Sequence, residues 1–120
     1  MERWEVILRL RFGRFLVRKV GFTFEWGAWF IAYDAVRCGP DEFDKLPPEQ
    51  QIMAMAFGAA SWWSMKNRKK IFFTMEDIGQ ALMRASKADN LALSQALNYA
   101  KFPEWMKYMA GDKKKDESES

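Results

Sequence analysis

The sequence predicts an α+β fold that is mainly α, with a strand or small sheet at the N-terminus and about five helices behind it. Two observations carry this. Over residues 4–12, Val6, Leu8, Leu10 and Phe12 alternate with Glu5, Ile7, Arg9 and Arg11, which is close to the period of a half-buried strand. Beyond Phe12, apolar residues recur every three to four positions between recognisable caps. A chain of 120 residues that is 49% hydrophobic suits one core. Residues 1–111 therefore read as one domain. Residues 112–120 contain no apolar side chain and are expected to form a disordered charged tail.

After the opening strand, Phe12, Phe15, Leu16 and Val20 sit at helical spacing, with Gly21 placed to stop a short helix. Thr23 is expected to cap a second helix that runs to about Cys38 and ends at Gly39-Pro40. Trp26, Trp29, Phe30 and Tyr33 form one face of it, and Phe24, Ala28, Ile31 and Ala35 much of the other. The acidic stretch 41–46 reads as a loop or ragged turn closed by Pro47-Pro48, where a proline opens the third helix over residues 48–67.

That helix has no wide polar face. Ile52, Met55, Ala56, Ala59 and Trp63 share one side, Met53, Phe57 and Ala60 a second, and Ala54, Gly58, Ser61 and Met65 a third, mostly small. A helix apolar all round must be enclosed, and the small stripe admits another backbone at close range. Residues 66–70 form a basic exit, suited to the negative end of the helix dipole. Ile71-Phe72-Phe73 is extended or strand-like. Thr74 with Asp77 has the spacing of a capping box, opening a fourth helix with Ile78, Ala81, Leu82 and Ala85 inside. A polar break or hinge at 86–90 precedes a fifth helix marked by Leu93, Ala96, Leu97 and Ala100, and a last short turn ends near Gly111.

Composition argues against several function classes. Histidine is absent, which removes the commonest general base and metal ligand together. Cys38 is the lone cysteine; without an activating partner it reads as a small buried apolar residue, and a reducing cytoplasm fits it better than an exported setting. The seven glycines match no phosphate-binding loop. Asp41, Glu42 and Asp44 lack the glycine turn and distal Glu of a calcium loop. No enzyme, no cofactor and no metal site are expected. The N-terminal residues do not resemble a signal peptide, and the longest apolar stretch, 52–65, has 14 residues where a membrane-spanning helix takes ~20. No membrane partner is expected.

The net charge of +3 is laid out in blocks: +4 over residues 1–21, −4 over 22–63, then a basic cluster of Lys66, Arg68, Lys69 and Lys70. Such alternation suits surfaces that meet each other or a symmetric neighbour. The cluster next to Trp62 and Trp63 also permits a nucleic-acid surface or an interfacial anchor on anionic lipid. Helix ends commonly carry cations and adjacent tryptophans commonly pack into cores, which favours a structural role. A helix-turn-helix reading of the last two helices is weak, because the second offers only Lys101 as a cation.

The order of features is nonetheless informative: an amphipathic strand, a phenylalanine-glycine turn, an aromatic helix, an acidic loop, an alanine-rich helix with a basic exit, and Phe72-Phe73-Thr74-Met75-Glu76-Asp77-Ile78 leading into a helical pair. Over residues 8–105 this pattern resembles the tail assembly chaperones of long-tailed bacteriophages, particularly those of phages and prophages of Bacteroides-like hosts. The resemblance implies a non-catalytic protein of the host cytoplasm. It would bind the long, apolar, helical tape measure protein, keep it soluble and help recruit tail tube protein. Independently, the third helix is expected to carry more apolar circumference than its own fold can hide, leaving surface for a client or for a homo-oligomer to cover. The resemblance also implies a second, frameshifted length, for which the codons of Lys113-Lys114-Lys115 offer a place. Met53, Phe57, Trp62 and Trp63 are the expected client-binding residues, with Lys66, Arg68, Lys69 and Lys70 orienting the client or the next subunit. The rival is a small nucleic-acid-binding regulator that uses the basic residues 66–70.

Overall fold

A computed structural model of the chain describes residues 2–100. The expected last turn near Gly111, the tail 112–120, Lys101 and the lysine run at 113–115 lie outside the described residues. The architecture is α+β and mainly α: a two-stranded antiparallel hairpin, β1 (Glu5–Phe12) and β2 (Leu16–Thr23), followed by α1 (Trp26–Val36), a one-turn α2 (Pro40–Phe43), α3 (Pro48–Lys66), α4 (Met75–Arg84) and α5 (Lys87–Asn98).

The N-terminal region corrects one expectation. Residues 12–20 do not form a helix; Phe12 pairs with Leu16, and the register runs back to Glu5 opposite Thr23. The reversal needs a left-handed backbone, which Gly13 supplies at φ 66. The helical spacing of Phe15 with its neighbours was coincidental, since Phe15 lies at the turn 93% exposed. A hairpin alone is marginal in water. This one is held because Leu8, Leu10, Val20 and Phe22 bury one face, and because β2 packs on α3 while β1 packs on α4 and α5.

Thr23 likewise does not cap α1. It closes β2, fully buried, with its hydroxyl donating to the Glu5 carboxylate at 3.2 Å. Glu25 is the N-cap residue, without a side-chain bond to its own helix. At the far end Arg37 takes a left-handed conformation at φ 52, and the Cys38 N–H reaches the Tyr33 carbonyl at 3.1 Å. Cys38 is half-buried, its thiol donating to the Val36 carbonyl at 3.3 Å. The acidic stretch makes a helical turn, α2, whose Phe43 is buried edge-to-face on Tyr33 at 5.2 Å. Burial first, and the Asp44 carboxylate second, raise the Tyr33 phenol above its ordinary value.

The long helix α3 matches expectation and organises the rest. Its middle is buried on every side: Ala54, Gly58 and Ser61 in one direction, Met55, Ala56, Ala59 and Ala60 in others. The cover is the chain itself, with α1, β2 and α4 packed around it. The small stripe does admit a backbone. A Cβ on Gly58 would lie 2.2 Å from the Ala28 carbonyl oxygen and 3.2 Å from the Ala32 nitrogen, so α1 crosses α3 almost in backbone contact there. The expectation that the circumference of α3 exceeds what its own fold can hide is therefore corrected. Only Ile52 and Met65, near its two ends, are exposed large hydrophobic residues.

Behind α3 the chain closes in a Schellman-type cap, with Arg68 left-handed at φ 56 and the Lys69 N–H bonded to the Ser64 carbonyl at 2.8 Å. Residues 71–73 belong to no helix or strand, and Phe73 is buried against Phe57. The capping box forms as predicted: the Asp77 N–H bonds to Thr74 Oγ1 at 3.1 Å, and the Thr74 N–H to Asp77 Oδ2 at 2.9 Å. Ile78, Ala81 and Leu82 are buried, and Ala85 half-buried. The break before α5 is shorter than expected. Ser86 caps α5 through the Asp89 N–H at 3.1 Å, and Asn90 lies within α5, its amide donating to the Leu82 and Ser86 carbonyls of the junction at 3.0 and 3.2 Å.

Candidate functional site

The eight residues singled out from the sequence do not converge on one surface; the fold distributes seven of them over three depressions and one packing contact and sets Arg68 at the end of α3. Their placement follows from α3, whose successive residues point 100° apart.

Trp62 is the packing contact. Its ring lies on Gly27 so closely that an added Cβ would approach to 2.3 Å, and it stacks at a tilt on Trp26 at 5.0 Å. Its Nε1–H donates to the Glu25 carboxylate at 3.3 Å, and Lys66 pairs with the same oxygen at 2.5 Å. Lys66 remains 43% exposed, so the ion pair contributes little by itself. Its role is geometric: the start of α1 and the end of α3 are tied through one carboxylate. Arg68 supplies the left-handed cap residue described above.

The first depression lies between the outer edge of β2 and the exit from α3. It has a volume of about 560 Å³ and brings Trp63, Lys69 and Lys70 together with Arg18, Lys19 and Phe72. Trp63 is half-buried with its indole over Gly21. The Arg18 guanidinium sits over the Phe72 ring, 5.9 Å from its centroid. Arg18 and Lys19 were not anticipated as site residues. Placed in a helix, they point anywhere; placed on β2, both line the cleft that the lysines after α3 also line, their side chains leaving opposite faces of the strand. Period-two placement of Val20 and Phe22 was the available signal.

The second depression, about 500 Å³, separates α1 from residues 71–75 and contains Phe57 and Met65, with Asp34 at the rim. Ser61 lines it. The residue is 3% exposed, and its buried hydroxyl has no hydrogen-bond partner among the described residues. The third depression, about 820 Å³, runs between α3 and α4. Ile52, Met53, Gly79, Leu82 and Met83 make an apolar lining, with Glu49, Glu76 and Asn90 also part of the wall. Met53 lies across Gly79, whose added Cβ would come 2.5 Å from its sulfur. Met83 is 87% and Ile52 54% exposed.

Chemically, these depressions suit binding. Among the described residues no three His, Cys, Asp or Glu side chains gather to hold a metal ion. Among them, too, no helix is long and apolar enough to cross a membrane. Comparison with protein-family models, curated proteins and solved structures yields no match for the chain.

Proposed function

We propose that the protein is a non-catalytic tail assembly chaperone, acting in the host cytoplasm, which holds an apolar helical segment of a tape measure protein in the groove between α3 and α4. The observation that carries this reading is the groove itself. Ile52 and Met83 stand open to water on its two walls, with Met53 and Leu82 between them.

An amphipathic helix lays its apolar face into such a groove through anchors spaced three and four residues apart. Methionine suits the task because an unbranched, polarizable side chain adapts to irregular partners, so a long client of varied sequence is accommodated. Glu49 and Glu76 favour client segments flanked by Lys or Arg. Tail tube recruitment follows from the same resemblance and assembly of several copies from the apolar surface left exposed, and both would use other faces. The apolar outer side of α1, where Trp26 and Phe30 pack edge-to-face at 5.9 Å while remaining 44% and 43% exposed, offers area for a second copy.

The test is co-expression with a tape measure protein and recovery of soluble complex. Met83→Glu alters an exposed side chain and should leave the fold intact. It is expected to lower recovery about tenfold, the consequence of losing ~1.4 kcal/mol of binding. Phe15→Glu, at the hairpin turn, is expected to leave recovery unchanged. Equal recovery with Met83→Glu and wild type would remove the groove from the client site.

A further inference from the structure

The cleft between β2 and the exit from α3 is independent of the client groove and has a different chemistry. Arg18 and Lys19 lie on one wall, Lys69 and Lys70 on the other, and all four side chains are exposed. Among the described residues, none of the four makes an ion pair and no carboxylate lines the cleft. Four like charges brought around a volume of about 560 Å³ repel one another, and the low-dielectric wall beneath them focuses their field outward. An anion entering the cleft relieves that repulsion.

The cations alone would accept any polyanion; the rings narrow the choice. Phe72 is 44% exposed, and its face carries the planar Arg18 guanidinium, while Trp63 forms part of the same lining. Aromatic and guanidinium planes between phosphate-seeking cations are the arrangement that holds unpaired bases, because every base has a face to stack while its phosphates meet the lysines. A duplex keeps its bases stacked on each other and cannot present them to a recess of this size. We therefore infer that this cleft binds single-stranded nucleic acid, with Lys19, Lys69 and Lys70 on the phosphates and Phe72 and Trp63 beside the bases.

The test is fluorescence anisotropy of the full chain with a dye-labelled oligothymidylate about a dozen nucleotides long. Three phosphate contacts on a single strand predict a log–log salt slope near −2, or roughly a 20-fold loss of affinity between 50 and 200 mM salt. The pair of substitutions Lys69→Gln and Lys70→Gln is expected to cut that slope to about a third. Phe72→Leu is expected to weaken binding several-fold while leaving the slope unchanged. A duplex of the same length and polyglutamate are expected to bind at least tenfold more weakly. Binding of all three polymers with equal affinity, an unchanged slope in the lysine variant, or no binding at 50 mM salt would each overturn the assignment.

Discussion

Gly58 decides how close the two main helices come. Alanine in the middle of a helix is ordinarily favoured over glycine by roughly 0.5–1 kcal/mol. Here the added methyl would meet the Ala28 carbonyl oxygen at 2.2 Å, and that oxygen belongs to the backbone of α1 and cannot rotate away. Overpacking of a rigid contact costs about 1–3 kcal/mol, so the clash outweighs the propensity. Gly58→Ala is expected to lower stability by about 2 kcal/mol in urea denaturation. Increased stability would mean that α1 and α3 are further apart than described. Gly27 and Gly21 are subject to a softer version of the same constraint, since their neighbours are the indoles of Trp62 and Trp63. The two indole sites explain why Trp62 and Trp63 are half-buried: their faces are matched to glycines. That matching was not legible in the sequence, because it joins residues roughly 35 to 45 positions apart.

Among the elements, legibility followed the range of the interactions. The start of α4 depends on Thr74 and Asp77, three residues apart, and both reciprocal bonds are formed. Loss of this cap typically costs ~1 kcal/mol; Thr74→Ala is expected to destabilise the protein by about that amount, measured by urea denaturation, with no change in the fluorescence of the folded state. A destabilisation near zero would show that packing of Phe73 and Ile78 alone fixes the start of α4. The extent of α3 was equally readable from Pro48 and the apolar run. The hairpin was not. Phe12, Phe15, Leu16 and Val20 satisfy a helical period and Leu16, Arg18, Val20 and Phe22 a strand period. What separates the two is the left-handed turn at Gly13 and the face that the rest of the chain offers to Val20 and Phe22. Misplacing β2 hid half of the basic cleft, since Arg18 and Lys19 meet Lys69 and Lys70 only across a strand.

On the scale of the whole molecule, an apolar central helix with no polar side is reconciled with a single chain by wrapping it in α1, the hairpin and α4. The apolar surface then left over is displaced outward, to the groove beside Met53 and Met83, to Trp26 and Phe30, and to Phe15 at the hairpin turn. This division gives the functional proposal its form: the core of α3 is spent on the fold, and the client meets its first turns together with α4. The sequence pointed to α3 as the partner surface because composition shows apolar excess without showing what covers it. Hydrogen–deuterium exchange on the protein, alone and saturated with an apolar tape measure segment, tests this most directly. New protection is expected over residues 49–53 and 76–83, with residues 54–64 already protected in the free protein. Free-state exchange through the middle of α3, with protection appearing there only on client binding, would contradict the account.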